Sequence, residues 1–316
     1  MPGSGIVFVA NPAAGKGREG REETRLRATL EKAGLDGRWM KTSAPDHGIA
    51  LAEQSAREGA ELLVAVGGDG TVNEVVDGLM RVPKERRPLL GVIPAGTGCD
   101  YARLLGLRNW DIAGAAEALL GRRTRRLDAG EVNGRYFANG VGLGFDGEVA
   151  ADAAKVTWIR GFPAYLTAVF RVLATWRNFR LTAEVDGEIL EGLTLLAAVT
   201  IGPASGGGFH LTPDARPDDG LFDLCRLGDF GKLEALRNLP KALNGSHVRL
   251  EKATLRRGRS VTLRADRPLT AHVDGNVLRN VAFDEPLSFR MHAGALEVVG
   301  RWPRGSGERN GAQGRN

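Results

Sequence analysis

Apolar residues fall into two successive patterns along this chain. In the first part, short apolar runs alternate with stretches of helical period. Ile6–Ala10, Leu62–Val66 and Leu89–Ile93 read as buried strands, and a further strand ends near Met40-Lys41-Thr42. Between them, Leu26, Leu30 and Ala33 mark one face of a helix from about Glu22 to Ala33, and a second helix runs from about His47 to Glu58. Val72, Val75, Val76 and Leu79 keep the i, i+3, i+4, i+7 spacing of a third. Strand, loop and helix repeated in this order predict a parallel sheet with helices on its faces.

After Leu127-Asp128 the pattern changes. Leu181–Val185, Leu193–Ile201, Phe222–Leu227, Ser260–Ala265, Leu269–Val273 and Leu287–Met291 read as short strands, separated by turns such as Asp186-Gly187 and Asp219-Gly220. This predicts an antiparallel sandwich or barrel. Two helices interrupt it. One carries aromatic and basic residues between Lys155 and Arg180, with helical spacing from Tyr165 on, and the other spans Leu233–Leu243. The first reads either as a helix packed on the β domain or as a rim, with Trp158 and Ile159, that touches a membrane interface. Residues 303–316 hold almost nothing to bury and read as a disordered tail.

The turn Gly67-Gly68-Asp69-Gly70 joins a buried strand to an amphipathic helix. Thr71 and Glu74 have the spacing of a capping box, with Thr71 as N-cap. Glycine lets backbone approach a phosphate, and the free N–H groups of a helix N-terminus point at it. Asp69 is placed to meet water, a metal ion or a substrate hydroxyl. A tight capped turn with no ligand would have the same local sequence. What favours a site is convergence: Asn11–Gly17, Thr42, Gly67–Thr71 and Gly96–Asp100 all follow strands, and parallel sheets bind ligands at those ends. Asn11–Gly17 is not a Walker A loop, because Lys16 is followed by Gly17. Gly142, Gly144 and Gly147 form a Gly-x-Gly-x-x-Gly without the βαβ context that dinucleotide binding needs.

Composition narrows the picture. With 316 residues and 42% hydrophobic content the chain can bury a real core in one large or two ordinary domains. A net charge of +5 and arginine clusters at 122–126 and 256–259 are mild signs of an anionic partner. No interleaved aromatic and basic strand pattern points to nucleic acid. Two cysteines, Cys99 and Cys225, make no disulfide framework and read as reduced in a cytosolic protein. No signal-peptide layout and no membrane-spanning run is expected, and the five scattered histidines do not suggest zinc.

The motifs together resemble the diacylglycerol kinase catalytic family, in its soluble bacterial lipid-kinase branch. They are Asn11-Pro12 with Gly15-Lys16-Gly17, Gly67 to Val75, Ile93 to Gly98 with Asp100, Asn139-Gly140 with Gly142 to Asp146, Pro217 to Asp223, and Val273-Asp274-Gly275. The resemblance runs from residue 6 to about residue 299. It implies an α/β nucleotide-binding domain of the phosphofructokinase and NAD-kinase kind at 1–127, completed by 293–302. It also implies a lipid-binding antiparallel β-sandwich at 128–292, with the active site between the two. It implies transfer of the ATP γ-phosphate to a lipid hydroxyl, first of all diacylglycerol to phosphatidic acid. A sphingoid base, a phospholipid headgroup or a non-catalytic nucleotide- and lipid-binding regulator are the alternatives.

By the same resemblance, Asn11, Thr42, Gly67, Gly68, Asp69, Gly70, Thr71, Asn73, Glu74 and Thr97 would bind ATP, with Asp69 in a magnesium and water network. Arg216, Asp219 and Leu221 would hold a structural Mg2+, Arg216 and Leu221 through backbone carbonyls. Asp274 would lie beside the acceptor hydroxyl. The family usually has Asn-Asp where this chain has Cys99-Asp100, and Asp-Gly-Glu where it has Asp274-Gly275-Asn276. An asparagine cannot accept a proton as a carboxylate does, so the base role passes to Asp274. The implied protein is cytoplasmic and touches membranes transiently; a homodimer is left open.

Overall fold

The structure, a computed structural model, describes residues 5–153, 155–156 and 162–302. The first half runs β1 (Ile6–Ala10), α1 (Ala14–Lys32), β2 (Arg38–Lys41), α2 (His47–Arg57), β3 (Leu62–Gly67), α3 (Asp69–Met80), β4 (Leu89–Pro94), α4 (Asp100–Leu104), α5 (Ile112–Gly121) and β5 (Thr124–Val132). Then follow β6 (Arg135–Phe137), β7 (Gly140–Gly144), α6 (Phe145–Ala153), α7 (Phe162–Thr175), β8 (Phe179–Val185), β9 (Glu188–Thr194), β10 (Leu196–Thr200) and β11 (Phe222–Leu227). The chain ends with α8 (Lys232–Leu243), β12 (Ala253–Gly258), β13 (Ser260–Ala265), β14 (Leu269–Val273), β15 (Asn276–Val281) and β16 (Leu287–Val299).

Strands β2, β1, β3 and β4 lie side by side and parallel, in register at Phe8↔Trp39, Phe8↔Val64 and Val66↔Ile93. β1 and β3 are buried throughout, as parallel strands covered on both faces must be. Helix α3 departs from the one-faced pattern: every residue from Thr71 to Met80 is buried. One side of it meets α2, where a Cβ on Gly78 would strike the Ile49 carbonyl, and another meets β6, where Asn73 reaches the Tyr136 carbonyl.

The second sheet is antiparallel, in the order β12, β11, β10, β7, β14, β15. Its inner face packs on β8, β13 and the first half of β16 around Phe137, Phe179, Phe222 and Phe289, which is the expected sandwich. Its outer face carries α6, α7 and α8 over Phe145, Val169, Leu173 and Leu196. β16 is one long strand rather than two separate pieces. It pairs with β13 at Val261↔Phe289, with β5 from Phe289↔Val132 to Val299↔Thr124, and with β4 at Val298↔Leu90. Thus one continuous sheet spans both lobes.

The predicted strand Leu193–Ile201 is split at Leu195. β9 belongs to the first sheet with β8, and β10 to the second with β7 and β11. An apolar run does not register that change of sheet. Helix α1 begins at Ala14 rather than Glu22; its first turns, polar and glycine-containing, carry no apolar period that would show it in the sequence. Trp158, Ile159 and the tail 303–316 lie outside the described residues. No helix among the described residues is long and apolar enough to cross a membrane.

Candidate active site

Two glycine turns meet at the carboxyl ends of β3 and β4. Gly68 is the N-cap of α3 in an extended conformation, and Asp69 opens the helix. Thr71 therefore sits within the first turn and is not the N-cap. Glu74 makes no capping box with it; its carboxylate accepts the N–H groups of Asp46 (3.1 Å) and Gly48 (2.8 Å) and so caps α2. In the second turn, a Cβ on Gly96 would overlap the Cα and N of Gly68, so the two turns touch backbone to backbone. Only glycine permits that approach. Cys99 takes a left-handed φ of 57° at the start of α4.

The turns form one wall of a cleft of about 610 Å³ between the lobes. Asn11, Gly68, Asp69, Gly70, Thr71, Glu74 and Thr97 line it. Of the other residues expected at the nucleotide, Gly67, Asn73 and Thr42 do not line it: Gly67 ends β3 ahead of the turn, Asn73 is turned to Tyr136 and Asp274, and Thr42 follows β2, its N–H bonded to Ala10 O (2.9 Å). The opposite wall comes from the β-sandwich: Asn139, Ser205 to Gly207, His272, and Asp274 to Asn276.

Asp274 starts the two-residue turn between β14 and β15, with φ of 46° before Gly275 at 91°, the conformation Asp-Gly favours in hairpins. Its carboxylate accepts three backbone N–H groups, those of Ala138 (2.7 Å), Asn139 (3.1 Å) and Gly140 (2.6 Å). Asn73 Nδ2 adds a fourth donor at 3.3 Å. Burial outweighs these bonds and pushes its pKa up to about 6, with the Asp69 charge adding to the rise. Asp69 is also raised to about 6, first by burial and then by the negative charge of Asp100; its Oδ1 accepts the Tyr101 N–H (3.0 Å). Asp100 accepts the Gly207 N–H (2.7 Å) and pairs with Arg103. Sequence reasoning assigned Asp100 no role, although Arg103 one turn later on a helix was a visible signal.

A narrow apolar pocket of about 60 Å³ opens beside the cleft, under α7 and α8, lined by residues such as Val169, Leu173, Phe209 and Leu239. Tyr165 borders both spaces, as Asp146 borders the pocket and His272 the cleft. His272 was set aside as one of the scattered histidines. The signal was its place on the predicted strand Leu269–Val273, directly before the Asp274-Gly275 turn.

Arg216, Asp219 and Leu221 are not among the residues that line the cleft. Asp219 pairs with Arg257 and its Oδ1 accepts the Leu221 N–H (3.2 Å). Asp128 accepts from Gly220 and Gly294, both at 2.7 Å. Asp223 meets Arg257 at 3.1 Å, while its buried Oδ2 has no partner and its pKa is pushed up to about 6, mainly by burial. Among the described residues, no group of three or more His, Cys, Asp or Glu side chains is arranged to hold a metal. A site of one carboxylate and two carbonyls does not need such a group. The orphaned Asp223 oxygen, with Asp219 beside it on the same arginine, fits a hard cation held by oxygen.

Residues 5–132 match the diacylglycerol kinase catalytic domain, and residues 139–300 match the YegS C-terminal NAD kinase beta sandwich-like domain. Over 269 residues, 85% of this chain, the sequence is 32% identical to a diacylglycerol kinase of Bacillus subtilis strain 168, of which 88% is covered. A diacylglycerol kinase of Staphylococcus aureus strain MRSA252 is equally similar over 84% of its length. The crystal structure of a diacylglycerol kinase from Bacillus anthracis strain Sterne has the same fold. Its TM-score is 0.70 at 22% identity, over 95% of this chain and 98% of that one. With the glycine turns, the cleft and both domain matches in place, the chain belongs to the diacylglycerol kinase family of phosphotransferases.

Proposed function

We propose that this protein transfers the γ-phosphate of ATP to a lipid hydroxyl, with diacylglycerol as the acceptor. The observation that carries the reading is the meeting of a polar, glycine-walled cleft with an apolar pocket at Tyr165. A phosphate donor suits the first space; the apolar lining of the second suits an acyl chain, which its present volume of about 60 Å³ would admit only as α7 and α8 part.

Phosphoryl transfer depends on positioning and charge neutralisation more than on covalent chemistry. The backbone at Gly68–Gly70 and the N-terminus of α3 would hold phosphates, with Asn11, Thr71 and Thr97 around the nucleotide. Asp69 would meet magnesium only through the ion's bound water, and the ion would neutralise phosphate charge. A second magnesium at the Arg216 and Leu221 carbonyls and Asp219 would stiffen the 216–223 turn. Asp69 and Asp274 remain the proposed catalytic carboxylates, and their surroundings divide the work. Asp274 has both oxygens engaged by backbone N–H groups, which suits holding the acceptor wall in place. Asp69 faces the cleft with a pKa near 6, a value suited to taking the proton of a lipid hydroxyl at neutral pH. The exposed Phe170 of α7 and Leu233 of α8 lie on the pocket's covering helices and support transient membrane contact.

A second reading, a regulator that binds nucleotide and lipid without transfer, is favoured by the amide at Asn276 and the fully engaged Asp274. Purified protein, labelled ATP, magnesium and mixed micelles of several lipid alcohols decide between them. Labelled phosphatidic acid that disappears in Asp69→Ala supports the kinase. Nucleotide binding with no labelled lipid supports the regulator.

A further inference from the structure

The glycine run Gly142 to Gly147 builds a contact. A Cβ on Gly142 would overlap Asp146 Oδ2 and His272 Nε2, and one on Gly147 would overlap the Thr270 carbonyl and Ala271 Cα. These glycines let α6 press onto β7 and β14, and they seat Asp146 Oδ2 at 2.9 Å from His272 Nε2. Tyr165 OH donates to the other carboxylate oxygen at 3.0 Å. His272 is 3% exposed and Asp146 5%.

A carboxylate only accepts, so Nε2 carries a proton. The groups facing the ring are Asp146 of α6, Asp274 of the β14–β15 turn and Asp100 of α4, all acidic, and they favour the imidazolium against burial. The second nitrogen, Nδ1, is buried and has no partner. An unpaired buried donor is costly, and such atoms call for an explanation. The trio stands where the cleft meets the apolar pocket, since His272 lines the first, Asp146 the second and Tyr165 both. A lipid with its chain in the pocket and its reacting hydroxyl in the cleft would pass its intervening oxygens by this trio, and a small turn of the ring would bring Nδ1, closed to solvent as it stands, to one of them.

We infer that His272, held by Asp146 and Tyr165, recognises the acyl-glycerol oxygens of the acceptor, donating Nδ1–H to an ester or hydroxyl oxygen next to the reacting one. This rests on the lipid-kinase reading and adds the group that selects the lipid. It also gives the glycine motif a structural reason, since it shapes a contact between side chains.

The test compares diacylglycerol with a long-chain primary alcohol that has no ester oxygens, in the same mixed micelles with the full chain. His272→Gln keeps a donor where Nε2 stood and removes the one at Nδ1. Its kcat/KM ratio for diacylglycerol over the alcohol should fall about tenfold, mainly through the KM for diacylglycerol, as expected for loss of a charged hydrogen bond. Tyr165→Phe, which keeps the ring, should lower the ratio in the same direction by less, and it carries the test if His272→Gln does not fold. Equal losses on both acceptors, or an unchanged ratio, would overturn the inference while leaving the kinase reading intact. Wild-type protein that labels neither acceptor would overturn both.

Discussion

The side-chain amide of Asn276 donates to Asn73 Oδ1 across 2.8 Å, joining residues 203 apart in sequence. Asn73 in turn donates to Tyr136 O (3.0 Å) and Asp274 Oδ2 (3.3 Å). Helix α3 of the nucleotide lobe is thereby tied to the β14–β15 turn and to β6 by one side chain. Asn276→Ala leaves Asn73 Oδ1 without that donor, at a cost of about 1 kcal/mol. A fall in melting temperature of about 2–4 °C is expected, with reduced turnover. Thermal melts and the micelle assay check both.

Asn276→Glu is a sharper case. A carboxylate cannot donate to Asn73 Oδ1, and it adds a charge near Asp274 and Asp69. The pKa of both carboxylates should rise further, so the acidic limb of the activity profile should move to higher pH than in wild type. An unchanged limb would count against Asp69 as the proton acceptor.

Asp274→Asn turns an amide group toward backbone N–H donors that the carboxylate had accepted. Hydrogen bonds to a charged group contribute roughly 2 kcal/mol, so urea unfolding should show a loss of about that size or more. Most turnover should disappear. Full activity in the folded variant would remove Asp274 from the mechanism.

Asp69, Asp223 and Asp274 all have pKa values near 6 in the folded chain, above the 3.8 of an ordinary aspartate. The folded state therefore binds more protons than the unfolded state between about pH 4 and 6. Stability from these groups is fully present below pH 4 and is lost as pH rises through 6. Asp223→Asn should flatten this dependence, measured by melts from pH 5 to 7, because its amide does not titrate.

Magnesium should raise the melting temperature if Asp219 helps to hold it. At a hundred times its Kd the ion would add about 2.7 kcal/mol. Asp219→Ala should shrink the shift to what the position by Asp69 alone gives. The same shift in both proteins would place the ion elsewhere.

Gly96→Ala puts a Cβ into the backbone of Gly68. Neither turn has room to yield without moving, so nucleotide affinity should fall at least about tenfold, read by calorimetry with ATP.

Much of this protein was legible along the chain. Buried strands such as Ile6–Ala10 and Leu62–Val66 show as unbroken apolar runs, because both their faces are covered. The glycine turns show because a close backbone approach admits no other residue. Each of these signals is local: the cause and the residues that betray it lie within a few positions.

The tertiary structure decided the rest. Glu74 has the spacing of a capping box with Thr71, yet it caps α2, because α3 starts three residues earlier and brings its carboxylate to Gly48. The split at Leu195, the full burial of α3, the Asn73–Asn276 bridge and the Asp146–His272 pair all join segments distant in sequence. The sequence by itself determined which segments become strands, helices and glycine turns, since those follow from period and backbone freedom. Which polar groups face one another across the cleft was decided only by packing two sheets and their helices, since hydrogen-bond partners more than a hundred residues apart leave no period in the chain.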